Sequence, residues 1–383
     1  MQNAECRNKK TADSRFRGYG GGEYARGMEY VTPANAGVYC SYSAIDSPRR
    51  SYTFLHYALC IIICLICTSR AQHPDAGTTA FPFLNLGYEA RSAAMGGASA
   101  AMPNEVYGIL SNPASIGYVN KTQIMAGYRQ IIMDIRGGPL GVVYPTSKGI
   151  FAANLIALTT GEFDIVNENG IATKDRARSS YTTGGVSWAM LLYENLSAGI
   201  TLKAVYHNLE AGAERYSADG FALDCGVQYR LYNGRLIYGA VLRNFGFVRS
   251  GYLNEFNDYP FPYGVEAGIS YVPRHVSNFR VALDVNKMKG DYLNFEPGFE
   301  YTLFSNVFLR GGYTFSFKDL EKTLEVFRGE RDENHRKTNM NTLSLGGGMT
   351  AQMDNVDLKL DAAFQFYSDI SRPSLILSVT AAF

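Results

Sequence analysis

Beyond residue 71 this sequence keeps a single cysteine, Cys225; the other five, Cys6, Cys40, Cys60, Cys64 and Cys67, all precede that point. One thiol excludes an internal disulfide framework. Cys64 and Cys67 have C-x-x-C spacing, but inside an apolar run they form neither a metal nor a redox site. Histidine is equally scarce: His73, His207, His275 and His335 show no H-E-x-x-H or paired spacing. There is no G-x-S-x-G elbow and no Walker loop, so nothing marks an enzyme, a cofactor or a metal. The stretch Asp164 to Gly170 is rich in Asp and Asn but lacks the spacing of a calcium loop, and reads as a solvated connection. Charge is also thin. Charged residues make up 19%, below the roughly 25% of soluble domains. A net charge of +1 provides no field for nucleic acid.

Long apolar runs are missing too. The one candidate, Phe54 to Cys67, is shorter than the about 20 residues a spanning helix needs. Arg49 and Arg50 precede it and Ser69-Arg70-Ala71 follows, the layout of a secretory signal peptide over residues 49–71, cut after Ala71. A lipoprotein signal fits less well, because Ile precedes both Cys64 and Cys67 where a small residue is needed. Residues 1–48 are polar, rich in Gly and Tyr, and without periodicity. They read as an unstructured leader or as the product of a start codon set too far upstream.

What the chain does have is period-two alternation, with 27 Tyr, 22 Phe and 39 Gly to build it. The last nine residues set the pattern. Leu375, Leu377, Val379, Ala381 and Phe383 share one strand face and Ser378 and Thr380 the other, with Ile376 as the exception. Comparable runs begin near residues 122, 138, 149, 179, 196, 221, 235, 262, 279, 291, 307, 338 and 356, about fourteen strands with the last. Short turns at Pro145–Lys148, Tyr193–Asn195, Tyr232–Gly234, Pro273–Ser277, Phe304–Asn306 and Met353–Asn355 alternate with longer polar loops at Gly161–Arg178, Asn208–Asp219, Gly246–Phe261 and Lys318–Lys337. An even strand count with loops sorted by length predicts an all-β fold, a transmembrane antiparallel β-barrel over residues 122–383. Trp188, Tyr229, Tyr271 and Tyr301 fall on the apolar face near the short turns, and Tyr206 and Tyr263 near the long loops, where membrane interfaces attract amphipathic rings. The implied partners are outer-membrane lipid and the barrel assembly machinery, which reads a closing strand ending on an aromatic such as Phe383.

Residues 72–121 are different. Small residues dominate Ala90 to Met102, Gly96-Gly97 permits positive φ, and Asn112-Pro113-Ala114 is a turn signal. This reads as a helical plug inside the lumen. The segments Phe83-Leu84-Asn85-Leu86-Gly87, Ala90-Arg91-Ser92-Ala93-Ala94-Met95-Gly96-Gly97-Ala98 and Ser111-Asn112-Pro113-Ala114 resemble the PorV/PorQ family, which is related to FadL-type outer-membrane transporters. The resemblance covers about 35 residues. It departs from the family pattern over Met102 to Leu110, where many members carry acidic residues and an aromatic. It implies a fourteen-stranded barrel with an internal N-terminal hatch and a plug motif of Arg91, Gly96, Gly97, Asn112, Pro113 and Ala114. A buried Arg91 needs carboxylates, and Asp224, Glu266, Glu296 and Glu300 are the inward-facing candidates; a solvated rim charge is the alternative.

Two functions follow. A PorV-like member would serve type IX secretion, binding the C-terminal signal domain of exported cargo. A FadL-like member would pass hydrophobic small molecules. Inward-facing Lys203, Arg230, Glu266, Arg280 and Arg310 count against an apolar tunnel. The aromatic stretch with Phe256, Tyr259, Phe261 and Tyr263 suits either a cargo-binding loop or a route in for ligand. Pro297, followed by Gly298, removes a ladder donor and implies a kink, read as a side opening or as a bulge near the periplasmic rim.

Overall fold

The computed structural model describes residues 73–383 apart from 104, 132–133, 167–170, 253–258, 318–340 and 368–371. The leader, the signal peptide and Phe256 therefore lie outside the described residues. Fifteen strands follow an N-terminal segment of short helical turns. They are β1 (Gln123–Gln130), β2 (Arg136–Thr146), β3 (Gly149–Thr159), β4 (Phe163–Val166), β5 (Ala172–Tyr193), β6 (Leu196–Ala211), β7 (Glu214–Leu231) and β8 (Leu236–Ser250). The remainder are β9 (Gly264–Tyr271), β10 (Phe279–Met288), β11 (Leu293–Leu303), β12 (Val307–Ser316), β13 (Thr342–Met353), β14 (Val356–Tyr367) and β15 (Ser374–Ala382).

Each barrel strand pairs antiparallel with its neighbours, and two pairings close the ring. β15 lies against β1, with Gly127 opposite Ser378, and β5 passes over the short β4 to pair with β3. Fourteen strands thus form a closed antiparallel β-barrel, and β4 is a hairpin arm on β5. Closure removes the sheet edge, which lets strands cross a bilayer with every backbone group paired.

Side-chain alternation turns the usual soluble pattern inside out. Leu140, Leu155, Val186, Leu202, Phe245 and Leu360 are exposed on the outer face, while Ser187, Thr201, Asp224, Ser270, Ser344 and Asp361 are buried facing the lumen. An exposed apolar band around a polar interior is what lipid selects. Tyr229, Tyr271 and Tyr301 near the short turns, and Tyr206 and Tyr263 near the other end, point outward with it. In β15, Leu377, Val379 and Phe383 are exposed, whereas Ile376 is fully buried. The exception to its alternation has a cause: Ile376 packs under Ala90, Ala93 and Ala94 of the N-terminal segment.

The short turns fall at one barrel end as expected, but the other end is not uniformly looped. β6 and β7 run to Ala211 and from Glu214, so the expected loop over Asn208–Asp219 is a tight hairpin. β5 likewise starts at Ala172, and β8 continues to Ser250. These stretches read as loops because they are polar on both faces. Ladder pairing needs no apolar face, and cross-strand ion pairs such as Arg176–Glu162 and Arg249–Asp219 suit solvent-facing extensions. The start expected for β13 at residue 338 lies outside the described residues.

Candidate functional site in the barrel lumen

Residues 73–121 lie against inward-facing groups around the barrel. They contain 3₁₀ turns at Pro82–Asn85, Val106–Leu110 and Pro113–Tyr118 and one short helix, α1 (Ala90–Ala94). The segment starts at the long-loop end, where Lys289 Nζ donates to Asp75 Oδ2 at 3.1 Å. It follows the wall from β14 round to β6. Along that path wall glycines make room for it. A Cβ at Gly312 of β12 would stand 2.1 Å from the Met95 carbonyl carbon, and one at Gly239 of β8 would stand 1.9 Å from the Ala100 oxygen. Gly298, Gly226 and Gly199 do the same for Met95, Asn112 and Pro113. The glycine abundance of the sequence thus serves close approach to the wall.

The six motif residues fix this path. Gly96 and Gly97 both have positive φ, which folds the chain back after α1 so that Gly97 N donates to Ser92 O at 2.9 Å. Gly96 sits against Tyr313 and Pro297, and Thr314 Oγ1 donates to its carbonyl at 2.7 Å. Fully buried Asn112 caps the turn that begins at Pro113: its Oδ1 accepts from Ala114 N at 3.0 Å. Its Nδ2 donates to Ala100 O at 2.8 Å and Val227 O at 3.2 Å, joining two parts of the segment to β7. Ala114 O accepts from Ser197 Oγ at 2.7 Å.

Arg91 is buried and forks onto Glu300: Nε donates to Oε2 at 2.8 Å and Nη2 to Oε1 at 2.7 Å. Of the four expected carboxylates it contacts only this one. Its other partner, Glu105, comes from its own segment and was not anticipated. The contacts continue into a ring. Glu300 accepts from Arg310 at 2.7 Å, Arg310 donates to Asp361 at 2.7 Å, Lys359 lies 3.5 Å from Asp361, and Lys359 donates to Glu105 at 2.5 Å. Three cations and three carboxylates alternate, so the charge cancels within the ring. Buried charges persist only with such pairing. Glu89, at the start of α1, adjoins it. Burial and the neighbouring Glu105 charge push its carboxyl well above the usual range. Burial opposes ionisation of Glu105 too, but Arg91 and Lys359 hold that group down at about 2.

A second charged group gathers on β9 to β11. Carboxylate oxygens of Glu266, Asp284 and Glu296 lie within 4.8 Å of one another. Asp284 Oδ2 accepts from Ser99 N at 2.6 Å and Ala100 N at 2.7 Å. Glu266 accepts from Ser99 Oγ at 2.9 Å and pairs with Arg243 at 3.0 Å, and Glu296 accepts from Asn286 Nδ2 at 2.7 Å. No short motif marks this trio, although all three occupy inward positions on consecutive strands.

The other side of the lumen is apolar. Phe81, Phe83, Leu84 and Tyr88 of the segment pack with Ile156, Leu158, Val205, Ala222 and Phe261. Phe81 lies 5.2 Å from Phe261 between ring centroids, and Phe83 4.4 Å from Tyr181. This compartment is almost full, with a free volume of about 20 Å³. Beside it, a mixed polar cavity of about 490 Å³ is lined by residues including Glu89, Arg129, Glu266 and Glu296. Leu86, Tyr88 and Leu110 border both spaces.

The aromatic stretch expected as one binding loop is divided. Phe261 is buried under Phe81, while Tyr263 faces outward against Phe245 and Tyr259 is exposed. Phe261 and Tyr263 both precede β9, where no strand alternation holds rings two residues apart on one face, so they do not form one surface. Pro297 also differs from expectation. Its strand keeps one register on either side: Phe295 opposes Phe315 and Gly298 opposes Gly312. There is no bulge, and Pro297 lies nearer the long-loop end of β11 than the short-turn end. What the proline does is leave a gap in the β11–β12 ladder, with its own carbonyl and Tyr313 lying against Gly96.

The fold and its lumen define the chain as an antiparallel β-barrel of the transmembrane type, with an N-terminal segment seated on inward-facing groups. No protein-family model matches the sequence, and no curated protein is significantly similar to it. Solved structures do share the fold. The toluene transporter TodX of Pseudomonas putida is 15% identical, with a TM-score of 0.54 over 77% of this chain and 96% of that one. The monoaromatic hydrocarbon channel CymD is 17% identical, with a TM-score of 0.52 over 79% of this chain and 98% of that one. The toluene transporter TbuX of Ralstonia pickettii is 14% identical, with a TM-score of 0.53 over 79% and 98%. This likeness establishes the fold.

Proposed function

We propose that the protein is an outer-membrane transporter that passes small apolar molecules through its lumen, with the long-loop end outside the cell. The observation that carries this reading is the aromatic compartment around Phe81 and Phe83, set within a lumen that is otherwise polar. Ligand sites are mostly apolar with a few polar groups placed around them. A ligand reaches the 490 Å³ cavity from the long loops and crosses the partition of Leu86, Tyr88 and Leu110. The free space of the aromatic compartment, about 20 Å³, is far below the roughly 300–1,000 Å³ of a ligand pocket. Occupancy therefore requires the ligand to take the place of Phe81 or Phe83 as the segment shifts. The shared fold with two toluene transporters and a monoaromatic channel supports this choice. The aromatic stretch offered for either a cargo loop or a route in for ligand is divided, with Phe261 buried and Tyr259 and Tyr263 exposed, so it favours neither reading.

The test is uptake of radiolabelled toluene by cells of an outer-membrane-permeability mutant, with and without the protein. Saturable uptake above the empty vector is expected. Uptake equal to the vector, from cells that carry folded barrel, would reject transport of this class.

A further inference from the structure

The ring around Arg91 is neutral, whereas the trio Glu266, Asp284 and Glu296 is not. Among the described residues one cation, Arg243, contacts it. Lys203, also buried in the lumen, is paired with Asp224 at 2.5 Å. Three carboxylates with one guanidinium leave two negative charges uncompensated in a buried place, and Asp284 is only 1% exposed. Such a group needs a further cation or must give up its charge.

A separate observation points to the cation. Asp284 Oδ2 is fully used by two backbone N–H groups of the segment, yet Oδ1 is buried and has no hydrogen-bond partner. Two glycines let the carboxylates approach. Across the β9–β10 ladder stands Gly268, where any Cβ would lie 1.9 Å from Asp284 Oδ1, so that carboxylate packs against a bare α-carbon. Gly268 shares the inward face of β9 with Glu266. Gly97 of the segment packs against the Glu296 carboxyl in the same way, with its carbon 2.7 Å from where a Cβ would stand. Glu266 and Glu296 both border the 490 Å³ cavity, which gives an ion a path in.

We propose that Glu266, Asp284 and Glu296 form a divalent-cation site that clamps the lumenal segment to β9, β10 and β11. All donors are oxygen, with no nitrogen or sulfur ligand, which selects a hard ion such as Ca²⁺ over zinc or copper. Glu266 and Glu296 complete the set with the Asp284 carboxylate, and Ser99 Oγ lies alongside. The ion takes the vacant oxygen of Asp284 while the other oxygen keeps Ser99 N and Ala100 N. Metal and segment therefore share one carboxylate, and each strengthens the hold of the other. The inference does not depend on what the barrel carries.

The probe is Ca²⁺ itself, added to EDTA-stripped full-length protein in detergent. Equilibrium dialysis with ⁴⁵Ca²⁺ is expected to give one saturable ion per chain, with Kd on the order of 10⁻⁴–10⁻³ M, as for extracellular calcium modules. Ca²⁺ is also expected to slow proteolytic cleavage within residues 73–121. Glu296→Gln, at a carboxylate that accepts from Asn286, keeps the side-chain shape and should weaken binding at least tenfold. Asp284→Asn should abolish it. The Glu296 variant keeps the test sound if the Asp284 variant fails to fold. Absence of saturable binding overturns the proposal. So does binding that Glu296→Gln leaves unchanged, which would place the ion elsewhere. So does acid-induced protection, with no ion bound, that persists in Glu89→Gln and is lost in Glu296→Gln, which would mean that the trio holds protons.

Discussion

The lumenal segment is held on two sides by different physics. Toward β11–β14 it is pinned by the six-membered ring of Arg91, Glu300, Arg310, Asp361, Lys359 and Glu105. Toward β3–β8 it is held by the contact of Phe81, Phe83 and Leu84 with aliphatic and aromatic groups of the wall. A charge ring is directional, and removing one member opens it and leaves each neighbour buried with one counter-ion fewer. An apolar contact is non-directional, and another apolar body of similar size can replace it. The difference assigns roles. The ring fixes where the segment sits, and the aromatic side is where a ligand can compete.

The sharpest way to break the comparison is Arg91→Ala. It takes from Glu300 and Glu105 one of their two cations each, cuts the tie from the segment to β11, and should weaken docking of the segment by about 3 kcal/mol or more. Limited proteolysis of purified protein should show residues 73–121 cut rapidly while the strands stay protected. Toluene should not restore protection, because no apolar ligand replaces a guanidinium. Retained protection would mean that the ring does not carry the docking.

Phe83→Ala attacks the other side and should have a smaller effect, about 3 kcal/mol, the low end for losing a buried aromatic. The rings of Phe81 and Tyr181 can close on part of the space. Here toluene should partly restore protection, and the variant should bind it more tightly than wild type. Equal insensitivity of both variants to toluene would erase the distinction between the two sides.

How much of this was readable in the sequence follows from the range of each signal. The strands were legible because alternation is local, and the inverted pattern, polar in and apolar out, is written into each of them. The tight β6–β7 hairpin was not, because Glu210, Glu214 and Arg215 look the same in a solvated strand as in a loop. The motif around Arg91 and Asn112 stood out by composition, but its partners did not. Glu105 is 14 residues from Arg91, Glu300 is 209 away, and only barrel closure brings them together. The trio on β9 to β11 was hidden for the same reason. Pro297 was correctly singled out as unusual, but its meaning lay in Gly96, which approaches from a distant part of the chain.

The smallest effect tests the edge of the charged side. Glu89 adjoins the ring without joining the alternation, and burial with the nearby Glu105 charge raises its carboxyl well above the usual range. Docked Glu89 thus keeps a proton that the undocked segment releases near the ordinary value of about 4.3. Docking is fully supported below that ordinary value and weakens as pH rises toward the docked pKa, because the undocked state then binds fewer protons. Glu105, held at about 2, runs the other way. Its contribution is present above the ordinary value and fades only as pH falls toward 2. Above that ordinary value Glu89 alone of the two should matter. Glu89→Gln supplies a permanently neutral group of the same shape, so proteolytic protection of residues 73–121 should become flat across that range where wild type declines. A variant that declines in parallel with wild type would move the titration to another group and leave the ring indifferent to Glu89.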